Sequence, residues 1–230
     1  MFRFALALLL FTIAMPVAAQ DRETVFISLG TVNAAAKTLP MPRLANIGHI
    51  KGLSEIKIRV KIDLQKGEVL DAEIISPGRP LIDSAALAAA KGAKFVPVLP
   101  ELPSVRGEGL ITYTREDFNK PALQNKNPRR FLIITKGELN SRAKVLAKPK
   151  GIRFGNGFIA GRVEVAVLVP AFGGEVIAAH AVSGPEELRE ASEKAAMDVK
   201  FSTAHIDGDG SRIYVKGIII YTFKTNGRVE

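Results

Sequence analysis

The chain has 230 residues, with 32 Lys and Arg against 23 Asp and Glu, a formal charge of +9, and no cysteine. Without cysteine there is no disulfide framework, no thiolate zinc site and no thiol nucleophile. The basic excess is not gathered in a dense Lys/Arg block, and few aromatic residues stand beside basic ones. The few aromatic residues beside basic ones argue against nucleic acid as a partner. The basic excess suits anionic envelope polymers or lipid headgroups, and the missing dense block leaves a scattered, solubilising surface as the alternative.

Residues 1–19 read as a secretory signal peptide. Arg3 gives a positive start, Phe4 to Met15 is almost wholly apolar, and Pro16-Val17-Ala18-Ala19 offers small residues before Gln20. The apolar run is short for a spanning helix, which needs about 20 residues. Cleavage after Ala19 therefore makes the chain periplasmic, the alternative being an anchor retained in the inner membrane. Cleavage also lowers the formal charge from +9 to +8, because Arg3 is lost.

Residues 20–52 form a lead-in, with Thr24 to Leu29 as a possible short strand. From Ile56 to Leu64 apolar and charged residues alternate with period two, as in a half-buried antiparallel strand. Gln65-Lys66-Gly67-Glu68 is a turn, and Val69 to Ser76 is the returning strand. Leu81 to Lys91 is Ala-rich and helix-favouring, with Leu81, Ala85 and Ala88 at helical spacing. Gly109 to Tyr113 closes the unit as a third strand.

The same order then recurs. Ile56 and Val163, Gly67 and Gly174, Ser76 and Ser183, and Leu81 and Leu188 share one constant offset. Lys94-Phe95 has its counterpart in Lys200-Phe201, and Tyr113 in Tyr221. Val163 to Pro170 and Glu175 to Ser183 are the strands of the second copy, and a helix begins near Pro185. Ser211 to Lys224 is its last strand, with one register change near Gly217. A domain-sized period with two copies predicts a tandem. The expected fold is α+β, each unit a three-stranded antiparallel sheet (strand-strand-helix-strand) packed with one helix. The units span 53–115 and 151–225, with 116–150 a linker containing one ordered piece at Phe131 to Thr135.

The second copy resembles the TonB C-terminal domain family. The likeness lies in Gly161-Arg162-Val163-Glu164-Val165-Ala166-Val167, in Gly174-Glu175-Val176 through Val182-Ser183-Gly184, and in Leu188, Ala195-Ala196 and Lys200-Phe201. It ends in the Tyr221-Thr222-Phe223 finish. The first copy resembles the family more loosely. The chain departs from it in having Phe154 where a Tyr-Pro is usual, and in lacking a long Pro-rich spacer. The resemblance implies a non-enzymatic binding module whose final strand lies at the sheet edge and pairs with an extended segment of an envelope protein or peptide. Such a partner would be an outer-membrane transporter or an inner-membrane complex. Ile213, Val215, Gly217, Ile218, Ile219, Ile220 and Tyr221 would form that edge. The alternatives are a membrane-anchored TonB energy transducer, or a cell-envelope scaffold that binds peptidoglycan or dimerises by strand exchange.

Catalytic, cofactor and metal sites are not expected. His49, His180 and His205 share no ligand spacing and read as solvated or turn residues. His205-Ile206-Asp207-Gly208-Asp209-Gly210 lacks the ligand set of a calcium loop. Gly155 to Gly161 is glycine-rich but leads into a strand, so it cannot cradle phosphate at a helix start. Ser183 is not in a nucleophile elbow. Glu186, Glu187 and Glu190 read as a solvated helix face.

Overall fold

A computed structural model describes residues 24–45, 52, 55–75, 79–129, 131, 133–202 and 214–230. Among these residues the fold is mixed α+β, mostly sheet with two α-helices. The first half forms β1 (Val25–Thr31), a 3-10 turn at Asn33–Ala35, β2 (Ala36–Leu39), β3 (Glu55–Asp63) and β4 (Glu68–Ile74). It continues with α1 (Pro80–Lys91), β5 (Lys94–Phe95), β6 (Val105–Thr114) and β7 (Leu123–Gln124). The second half begins with β8 (Ile133–Glu138), a 3-10 turn at Asn140–Arg142, β9 (Ala143–Val145), β10 (Arg153–Phe154) and β11 (Gly157–Phe158). Then follow β12 (Gly161–Pro170), β13 (Gly174–Glu175), β14 (Ala178–Ser183), α2 (Glu186–Met197), β15 (Lys200–Phe201) and β16 (Tyr214–Phe223).

Side-chain alternation explains the long strands. In β3, Ile56, Ile58, Val60 and Ile62 are buried while Lys57 and Arg59 are exposed. At the β3–β4 turn, Gly67 has φ +75°, and a Cβ there would strike the main chain of Phe95, so only glycine fits. The buried Asp63 carboxylate steadies the same turn by accepting from the Gln65 N–H (2.9 Å) and the Lys66 N–H (3.1 Å).

The two halves have the same strand order, β1-β6-β3-β4 in the first and β8-β16-β12-β14 in the second. In each, the strand after the helix pairs antiparallel with the first long strand (β6 with β3, β16 with β12). On its other side it pairs in parallel with a segment from far upstream (β1 on β6, β8 on β16). Neither sheet is three-stranded or wholly antiparallel, a correction to the expected unit: the second has four strands, and the first extends past β4 through β5, β2 and β7 to seven. The physical reason is that three strands would leave the amides of β6 and β16 unpaired along a hydrophobic face.

Segments outside the two expected units are drawn into sheets for the same reason. The lead-in 20–52 carries β1 and β2, and the linker 116–150 carries β7, β8 and β9, all of them hydrogen-bonded into sheets. The helix stripe is also shifted by one residue. α1 buries Ile82, Ala86, Ala89 and Ala90, whereas Leu81 is 64% exposed. With Leu81 and Ile82 adjacent in an Ala-rich helix, spacing alone cannot fix its rotation.

Among the described residues two large apolar cores result, with a small third cluster at Ala171 and Val215. One joins Ile58, Val60, Ile62, Ile82, Leu99 and Tyr113 of the first half to Phe131, Ala166, Leu168 and Ala178. The other gathers Val163, Val165, Val167, Leu188, Val199, Ile219 and Tyr221. β12 is thus buried on both faces: its odd residues face α2 and its even residues, Ala166 and Leu168, face the first half. Across that contact the rings of Phe95 and Phe131 lie 5.7 Å apart, and Lys216 bonds Glu101 at 2.9 Å. Among the described residues, no helix is long and apolar enough to cross a membrane.

Candidate functional site

The strand expected to be the recognition edge lies inside its sheet. Val215, Gly217, Ile219 and Tyr221 turn inward and are buried, while Ile218 and Ile220 lie half-buried on the opposite face. Ile213 lies outside the described residues. One side of β16 pairs with β12 along its full length, from Pro170↔Tyr214 to Gly161↔Phe223.

The other side is closed in stages. β8 covers Tyr214 to Lys216, with a register shift before Ile218↔Glu138, and the Leu139 N–H donates to Ile218 C=O (2.8 Å). The Asn140 side chain then bonds both main-chain groups of Ile220. Beyond that, Thr222 exchanges two hydrogen bonds with Glu230 (2.9 and 3.0 Å). The reading of β16 as an open edge is therefore corrected, because the chain's own upstream segment fills the place of a guest strand.

Among the described residues, the open margin lies one strand further out. Even-numbered residues of β16 turn their main chain toward β8, as the bonds at Ile218 and Ile220 require. In a parallel ladder the residue opposite a bonded one turns its own amide and carbonyl away. Thr135, opposite Lys216, therefore presents both groups outward, and no strand among the described residues pairs with that side of β8. The other margin, β14, is partly blocked: the Glu193 carboxylate accepts from the Ala181 N–H (2.7 Å) and lies 3.1 Å from His180 Nδ1. His180 is thus a half-buried strand residue bonded to α2, not a solvated turn histidine. His49, His205 and the Asp207–Gly210 loop lie outside the described residues.

Beside β8 opens a cleft of about 510 Å³. Its wall combines Lys136, Arg142 and Lys144 with the apolar Leu139, Ala171 and Phe201. No carboxylate pairs with these three cations among the described residues, and Arg142 and Lys144 are exposed. In the first half, Leu64 aligns with Ala171; its carbonyl holds the Val98 and Leu99 amides, and Leu99 and Leu102 are wholly buried. The segment that aligns with Val98–Leu102 in the second half falls within 203–213, outside the described residues.

Sequence reasoning missed Thr135, Lys136, Arg142 and Lys144 because it placed them in a linker. A signal was present: no acidic residue occurs between Glu138 and Glu164, while Arg142, Lys144, Lys148, Lys150, Arg153 and Arg162 do. Among the described residues no group of three or more His, Asp or Glu could hold a metal. No family model matches the chain, and neither does any curated protein or solved structure searched.

Proposed function

We infer that this chain is an exported, periplasmic, non-enzymatic binding protein of the cell envelope, built from two units similar to the TonB C-terminal domain. It adds an extended, acid-bearing segment of an envelope protein to the outer side of β8. The observation that carries this reading is the outward amide and carbonyl of Thr135, on a margin that no strand among the described residues pairs with, beside a cleft lined by Lys136, Arg142 and Lys144. Strand addition already operates within the chain, where β1 augments β6 and β8 augments β16. Main-chain bonds supply affinity along such a margin, and a cationic cleft beside it selects carboxylates.

Thr135→Pro removes the outward N–H at a margin position where proline is tolerated. Affinity capture from envelope fractions compares this variant with the wild-type chain, each checked by its far-UV spectrum and unfolding midpoint. Loss of the captured partner from a folded Thr135→Pro chain supports the reading. Undiminished capture contradicts it.

A further inference from the structure

We propose that the β10–β11 hairpin is a docking point for an anionic lipid surface. The hairpin is anchored at its base. Ile152 and Ile159 pack on the second core, and the Ile159 N–H donates to Ile152 C=O at 2.9 Å. The Phe158 ring closes against Gly227, where an added Cβ would lie 2.8 Å from it. The tip points away from this base. Phe154 is 77% exposed, its cross-strand neighbour is Gly157 and the next residue is Gly155, so nothing on the hairpin covers its ring.

A lone exposed apolar side chain is ordinary on a soluble surface. This one stands at the tip of a hairpin whose base carries cations. Lys148, Lys150 and Arg153 stand within six residues before Phe154, and Arg228 follows Gly227, against which Gly151 and the Phe158 ring both pack; all four are exposed. None of the four has a carboxylate partner among the described residues, and the Arg153 guanidinium stacks 5.2 Å from the centre of the Phe158 ring. The nearby acid, Glu230, is held by Lys224 at 3.2 Å. An aromatic ring that can enter the acyl boundary, on a hairpin whose base carries exposed Lys and Arg, fits an anionic bilayer. A protein groove would need a broader apolar face than a single ring. The hairpin sits where β16 ends, whereas the cleft lies against Val215 where β16 begins, so both contacts can be made at once.

The chain has no tryptophan, so Phe154→Trp in the full chain introduces a single reporter at the tip. Its emission is followed with phosphatidylcholine vesicles, with the same vesicles containing phosphatidylglycerol, and with purified sacculi. The expected result is a blue shift on the phosphatidylglycerol vesicles alone, weakened by salt. Adding Lys148→Gln, Lys150→Gln and Arg153→Gln lowers that binding about a hundredfold. Because the reporter is local, attachment through residues 1–19 cannot imitate the shift. Unchanged emission while the chain sediments with anionic vesicles overturns the proposal, and so does a shift on sacculi but not on vesicles.

Discussion

Asn140 stands in for a strand residue opposite Ile220: its carboxamide accepts the Ile220 N–H at 2.9 Å and donates to the Ile220 C=O at 2.7 Å. Asn33 does the same for Thr112, at 2.9 and 2.6 Å. Where the parallel strand ends, one side chain continues its ladder. Asn140→Ala leaves a half-buried amide and carbonyl without partners and should destabilise the fold by about 1–3 kcal/mol. Asn140→Asp sets a carboxylate against the Ile220 carbonyl and should cost at least as much. Urea unfolding midpoints measure both, and a midpoint unchanged in Asn140→Ala would show that water replaces the side chain freely.

Tyr113 and Tyr221 occupy matching places, each donating its hydroxyl at 3.0 Å to a main-chain carbonyl, of Pro40 and of Ala147. Burial pushes both phenols well above their usual value near 10, helped by Asp117 near Tyr113 and Asp198 near Tyr221. Raised folded-state values mean that the folded chain holds these protons more tightly than the unfolded chain. The stabilisation is complete below about pH 10 and falls as pH rises through the range where only the unfolded tyrosines ionise. Denaturation followed from pH 8 to 11 should show stability dropping above about pH 10 in the wild type. The drop should be shallower in Tyr221→Phe and shallower still in the double Phe variant.

Gly217 and Gly109 also correspond. A Cβ on Gly217 would collide with the Leu139 side chain and approach the Gly137 carbonyl to 3.0 Å, while one on Gly109 would collide with Val32. Leu139 and Val32 are the buried residues that immediately follow β8 and β1, so glycine makes room where the added strand turns away. Gly217→Ala should destabilise by about 1–3 kcal/mol through overpacking. Leu139→Ala in the same chain should recover part of that loss, and a double-mutant cycle gives the coupling. Strictly additive effects would place the strain elsewhere.

Export makes a simple prediction. The mature chain recovered from the periplasm should begin at Gln20, and N-terminal sequencing checks it. A chain that still begins at Met1 and fractionates with the inner membrane would favour the anchored alternative.

What could be read from the sequence was local. The alternation of β3 and the helix beginning beside Pro185 follow from residue periodicity and punctuation. The register change expected in β16 near Gly217 does not occur: Val215, Gly217, Ile219, Tyr221 and Phe223 turn inward without a break, and the extra residue lies in β8. The neighbours of each strand do not. β8 is six residues long with mostly exposed side chains, and it pairs in parallel with a strand about 80 residues away. No local pattern marks such a partner, so β16 looked like an edge. Yet the repeat does extend upstream: Asn33-Ala34-Ala35-Ala36-Lys37-Thr38-Leu39 matches Asn140-Ser141-Arg142-Ala143-Lys144-Val145-Leu146 at the same offset as Ile56 and Val163. That match would have placed both added strands inside the units. The cleft was harder to foresee, since its cations come from three separate elements and become a site only once β8, the 3-10 turn and β9 are folded together.

The account rests on the outer side of β8 receiving a strand. A photoreactive residue at position 135, 182 or 57, tested in whole cells, measures this most directly, because Val182 lies on the partly blocked margin and Lys57 on the solvent face of β3. The account predicts one cross-linked envelope partner at position 135, mapped to an extended acidic segment, with little or none at 182 and 57. Equal cross-linking at all three positions, or a partner found only at 182, would contradict it.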